Sequence, residues 1–84
     1  MMVCFTRAAW SDYLHFQQFD KKLASKINTL IKDITRTPYD GLGKPEPLKH
    51  SSSGLWSRRI DLEHRLVYQI SDDKVIIHQC RYHY

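Results

Sequence analysis

The chain has 84 residues, 13 basic against 9 acidic side chains for a formal charge of +4, and a hydrophobic fraction of 42%. That length is read as one domain, residues 1–84, with a single small core that buries roughly 60 to 65% of the unfolded surface and leaves no room for a second domain within it. The apolar fraction argues against disorder, no apolar run approaches the roughly 18 residues of a membrane span, and the positive balance points to a polyanionic or acidic partner without separating RNA, DNA and protein.

The opening residues MMVCFTRAAW lack the long apolar region and small-residue cleavage site of a signal peptide, so a cytoplasmic location is expected. Met2 to Phe5 reads as a short strand. Thr6 can cap a helix beginning near Arg7, in which Trp10, Tyr13, Leu14 and Phe16 or Gln17 form an apolar, aromatic face at three-and-four spacing. Asp20 reads as the N-cap of a second helix, with Leu23, Ile27, Leu30, Ile31 and Ile34 as its apolar stripe and Lys21, Lys22, Lys26, Lys32 and Asp33 on its other faces. Thr37-Pro38 should end that helix near Arg36, because proline disfavours the helical conformation of the residue before it.

From Pro38 to Gly54 the chain carries all three prolines, all three glycines and Ser51-Ser52-Ser53, so no regular element is expected there. Leu55 to Leu62, His64 to Ile70 and Val75 to Arg81 then read as three strands of an antiparallel meander, with turns near Asp61 to Glu63 and at Ser71-Asp72-Asp73. The fold class is therefore α+β: a strand, two amphipathic helices and a three-stranded meander, with both helices on one face of a twisted sheet.

Alternation along the strands places Trp56, Ile60, Leu66, Tyr68, Ile70, Ile76 and Cys80 on the helix-covered face. Arg59, Arg65 and Arg81 take the opposite parity with Val67 and Gln69, which would line an open face with guanidinium groups, whereas Arg58 drops out of that set. Cys4 and Cys80 lie in apolar runs and read as reduced core thiols. There is no CxxC, no HExxH, and the five histidines do not fall at ligand spacing, so neither a metal nor another cofactor is expected.

Chemistry concentrates between Lys44 and Arg65, where Glu46, Lys49, His50, Arg58, Arg59, His64 and Arg65 fall within about twenty positions, and at the end of the chain, RYHY. RNA can be cut without a metal when a base removes the ribose 2′-hydroxyl proton, cations stabilise the crowded phosphorane and an acid protonates the departing 5′-oxygen. Glu46, held between two prolines, can be the base. Arg59 and Arg65 offer forks for phosphate, His83 titrates in a useful range, and Tyr84 can stack on an unpaired base. Lys44, Lys49 and Arg81 can bind substrate phosphates. Each residue also has an ordinary reading: a solvated loop glutamate, surface arginines paired with Asp61 or Glu63, a frayed terminus. A basic module that binds nucleic acid without cutting it, such as a co-repressor on operator DNA, is the competing function.

The segments INTLIKDITRTPYDGLGKPEPLKH, SGLWSRRIDLEHRLVY and CRYHY closely resemble the YoeB toxin family, among the RelE-like toxins of bacterial toxin-antitoxin systems. The likeness covers nearly the whole chain. It departs at Phe5, where family members often carry tryptophan, and at HSSSGL, where asparagine is usual. The resemblance implies a microbial-ribonuclease-like fold and an mRNA endonuclease that acts in the ribosomal A site and stops translation. It matches Glu46 to the general base, His83 to the general acid, Arg59 and Arg65 to the phosphate-binding arginines, Lys49 to a groove lysine and Tyr84 to the substrate-positioning terminal tyrosine. It further implies a cognate antitoxin as partner, contact with operator DNA only through the antitoxin complex, and a homodimer as a further state.

Overall fold

In a computed structural model, which describes residues 1–49 and 54–82, the chain runs as strand β1 (Met2–Phe5), helix α1 (Arg7–Phe19), helix α2 (Lys21–Arg36), and strands β2 (Glu46–Pro47), β3 (Trp56–Arg59), β4 (Arg65–Ser71) and β5 (Lys74–Gln79). The helix boundaries follow from their caps. Thr6 accepts from the Ala9 amide at 3.2 Å and Asp20 from the Leu23 amide at 3.1 Å, each satisfying an amide that the first helical turn leaves without a partner, worth about 1 kcal/mol. The α2 C-cap is Thr37, whose amide donates back to the Asp33 carbonyl, and Pro38 stops the ladder there.

The five strands form one sheet in the order β1-β5-β4-β3-β2. The meander β3-β4-β5 is antiparallel as expected, but β1 pairs parallel to β5, from Met2↔Lys74 to Phe5↔Ile77. The loop expected to be irregular throughout contributes a two-residue strand, Glu46↔Ser57 and Pro47↔Trp56. Prolines are tolerated there because β2 is an edge strand.

Both helices cover one face of the sheet. The core gathers Ala9 and Phe16 of α1, Ala24, Ile27, Leu30 and Ile34 of α2, and Leu66, Tyr68, Val75, Ile77 and Cys80 from the sheet side, each large apolar side chain contributing about 1.5–3 kcal/mol on burial. In α1 the buried stripe runs through Ala9 and Phe16, while Trp10 and Leu14 are half exposed. Trp10 packs instead on Phe5 and Tyr13, at 5.4 and 5.7 Å between ring centres. Both cysteines are free thiols; burial pushes that of Cys80 up to about 12.

One strand departs from simple alternation. Val75 and Ile77 are buried in the core, and Ile76, expected there, sits opposite Gln69 on the other face. The register steps from Tyr68↔Ile77 to Val67↔Gln79, so His78 is an extra residue on β5, and this bulge reverses the parity and returns Cys80 to the core. The His78 ring points to Gln69, with Nε2 3.2 Å from Oε1. Strand β3 is also shorter than expected, ending at Arg59 rather than Leu62, because the Ile60 and Asp61 amides both reach the His64 carbonyl and close a tight turn. Among the described residues no helix is long and apolar enough to cross a membrane.

Candidate active site

The site lies on the sheet face opposite the helices, and what supports it is on the helix side. Arg58 has core parity on β3 and is 0% exposed. Its guanidinium donates all five N–H groups: Nη1 to Asp33 Oδ2 at 2.7 Å and to the Leu42 carbonyl, Nη2 to the Thr37 and Asp40 carbonyls, and Nε to the Tyr68 hydroxyl. The Tyr68 hydroxyl in turn donates to the Pro38 carbonyl at 2.6 Å. Asp33, near the end of α2, also accepts from the Leu42 amide at 2.9 Å. That amide and then Arg58 hold the Asp33 carboxyl below its usual value, while burial raises the Tyr68 phenol.

These bonds fold residues 37–42 against β3 and deliver the chain to Gly43. A Cβ there would come 2.9 Å from the Arg59 carbonyl, and the backbone has φ +79, so only glycine lets the loop run this close to the strand. The Arg59 amide donates to the Gly43 carbonyl at 2.7 Å. Lys44 follows, and β2 then lies beside β3.

Two rows cross the open face. Glu46, Ser57 and Val67 are successive partners in one row, and Arg59 opposes Arg65 in the next. Arg65 bridges the rows: Nη2 is 3.2 Å from Glu46 Oε1 and Nη1 donates to Ser57 Oγ at 2.8 Å. The Glu46 carboxylate remains 58% exposed, which leaves it open to an incoming ligand. Arg59 is exposed beside Arg65, and the two arginines with Asp61 and Leu62 line a depression of about 210 Å³. A wider groove of about 440 Å³ continues along Lys26, Lys44, Arg59 and Leu62.

Of the residues singled out in the sequence, Glu46, Arg59 and Arg65 come together, and Lys44 lines the adjoining groove. Lys49 is exposed at the end of the described loop. His83 and Tyr84, and likewise His50, lie outside the described residues. The parity counted for Arg81 with Arg59 and Arg65 does not hold: its guanidinium lies 4.8 Å from the Tyr82 ring centre and 6.0 Å from that of Phe16, at the α1 edge, because β5 ends at Gln79 and strand alternation does not extend to Arg81. Ser57 was overlooked. It is fully buried on the site face and fixes the Arg65 fork; its parity, shared with Arg59, was the available signal.

The strand order, the helix-covered face and the open cationic face define the class as a RelE-like α+β toxin fold. Likeness to the YafQ component of an E. coli DinJ-YafQ complex, with TM-score 0.80 over 96% of this chain and 91% of that one at 17% identity, shows the fold alone. Residues 5–84 match the sequence model of the YoeB-like toxin of bacterial type II toxin-antitoxin systems, and the chain belongs to that family. It is 57% identical to Toxin YoeB of Escherichia coli K12 over the full length of both, and 61% identical to Toxin YoeB of Synechocystis over 100% of this chain and 98% of the relative. Among solved structures, a YoeB/ParE toxin from Agrobacterium tumefaciens superposes with TM-score 0.96 at 48% identity over all of both chains. A YoeB dimer from Staphylococcus aureus gives 0.94 at 48% identity, covering 100% of this chain and 98% of that one.

Proposed function

We propose that this toxin is an endoribonuclease that cuts mRNA in the ribosomal A site and so stops translation. The observation that carries the proposal is the ion pair of Arg65 with a half-exposed Glu46, beside Ser57 and Arg59 on a sheet face that no helix covers. A phosphodiester entering here takes up the guanidinium groups of Arg65 and Arg59 and displaces Glu46 from its partner. The freed carboxylate accepts the 2′-hydroxyl proton as O2′ attacks phosphorus, the bond to the 5′-oxygen breaks, and that oxygen receives a proton from His83. The products are a 2′,3′-cyclic phosphate and a 5′-hydroxyl. Tyr84 stacks on the base; Lys44 and Lys49 on the loop and Arg81 near the tail add positive charge along the RNA path.

The partners follow by kinship. A related S. aureus protein is described in a YoeB-YefM complex and in a dimer; we assign a cognate antitoxin to this chain, operator DNA contact only through that complex, a homodimer as a further state, and a cytoplasmic setting. Incubating the protein with free mRNA and with programmed ribosomes, then mapping the cut ends, tests the reading. Cuts confined to the A-site codon are expected. Intact RNA in both mixtures, with binding that merely weakens in salt, would make the protein a basic binding module instead.

A further inference from the structure

His64 takes no part in the chemistry proposed above, yet it is 8% exposed and sits where β4 meets the tail. Its Nδ1 accepts from the Tyr82 amide at 2.8 Å, and the neighbouring Arg65 amide donates to the Tyr82 carbonyl at 3.0 Å. Tyr82 is thus gripped on both sides of its backbone by two consecutive residues. A backbone N–H can only donate, so Nδ1 carries the lone pair and the ring proton is on Nε2, where Glu63 Oε1 lies 3.3 Å away. The imidazole plane is set by Phe16, at 5.1 Å between ring centres. Tyr82 needs such a grip: its backbone has φ +65, which an L-residue rarely adopts unaided, and its side chain, 53% exposed, is not anchored by burial.

We propose that His64 is a positioning residue: its neutral imidazole, with the Arg65 amide, fixes the backbone of Tyr82, the residue from which His83 and Tyr84 follow. Because Arg65 is also the partner of Glu46, the same residue whose side chain sits in the phosphate site holds Tyr82 through its backbone. Tyr82 and the sheet face are therefore set in one frame. The consequence for catalysis rests on the ribonuclease reading above; the clamp itself does not.

The test compares the full-length toxin with His64→Leu, which removes the acceptor, and His64→Asn, whose side-chain oxygen can occupy the Nδ1 position. Three readings are taken: protection of the Tyr82 amide from exchange, the ¹⁵N signals of the ring, and kcat against KM for RNA cleavage. The parent should show an unprotonated Nδ1 and a protected Tyr82 amide. His64→Leu should lose that protection and roughly tenfold to a hundredfold in kcat, with KM little changed, and His64→Asn should recover most of both. Equal kcat in all three proteins, or a Tyr82 amide still protected in His64→Leu, overturns the proposal. If His64→Leu does not fold, His64→Asn decides: a protected Tyr82 amide and near-parental kcat support the clamp, and an unprotected amide refutes it. Should the parent cut no RNA, the functional reading fails while the exchange and ¹⁵N measurements still decide the clamp.

Discussion

Arg58 and Arg65 each hold a carboxylate, Asp33 at 2.7 Å and Glu46 at 3.2 Å, on opposite faces of the same sheet. Arg58 is sealed from water and spends every N–H on a fixed acceptor; Arg65 is partly open and its carboxylate partner more so. Ion pairs in water are worth little because solvent screens them and competes for both groups, whereas removing one partner of a buried pair strands the other. The first arrangement suits a permanent joint between α2, the loop and β3. The second suits a site, since a guanidinium exchanging a carboxylate for a phosphate has little to lose.

Arg58→Leu should have the largest effect. It leaves the carbonyls of Thr37, Asp40 and Leu42 short of a donor, and stability measured by denaturant unfolding should fall by more than about 3 kcal/mol. A loss below about 1 kcal/mol would remove the contrast between the two pairs. Glu46→Gln and Arg65→Gln should behave inversely, with cleavage rates down by roughly a hundredfold or more while unfolding midpoints shift by no more than about 1 kcal/mol. Tyr68→Phe deletes the donor to the Pro38 carbonyl and the acceptor of Arg58 Nε and should cost about 1–3 kcal/mol, with the cleavage rate of the folded protein preserved.

The smallest effect is in the pH dependence. Asp33 is held below its ordinary value of 3.8, so the unfolded chain takes up this proton first as the solution is acidified. The contribution is complete above the unfolded value and is lost as pH falls from there through the folded value. Unfolding midpoints between about pH 6 and pH 2.5 should fall along this limb, and the difference between parent and Asp33→Asn should shrink over the same range. A constant difference would mean that Asp33 is not the titrating group.

Much of this was legible locally. Thr6, Asp20 and Pro38 mark helix ends because capping and proline geometry act over three or four residues, and Arg59 with Arg65 follows from parity on adjacent strands. Ile76 is misplaced because the extra residue at His78 puts it out of phase with Cys80, and Arg81 because the strand ends at Gln79 before alternation can reach it. Nothing in the composition of KVIIHQ marks the extra residue. The strand at Glu46–Pro47 was hidden because two residues between prolines carry no periodicity; only β3 beside them gives them a ladder.

By itself the sequence determined the α+β class, the order of the helices and of the longer strands, the family and the sheet face that carries Arg59 and Arg65, since each depends on short-range periodicity or on the identity of residues in a row. Tertiary structure alone decided that Arg58 builds the loop while its neighbour Arg59 faces the site, that Ser57 orients Arg65, and that His64 grips Tyr82. Those roles arise from pairs 8 to 25 positions apart, brought within hydrogen-bond reach only when the sheet closes against α2 and the tail returns beside β4.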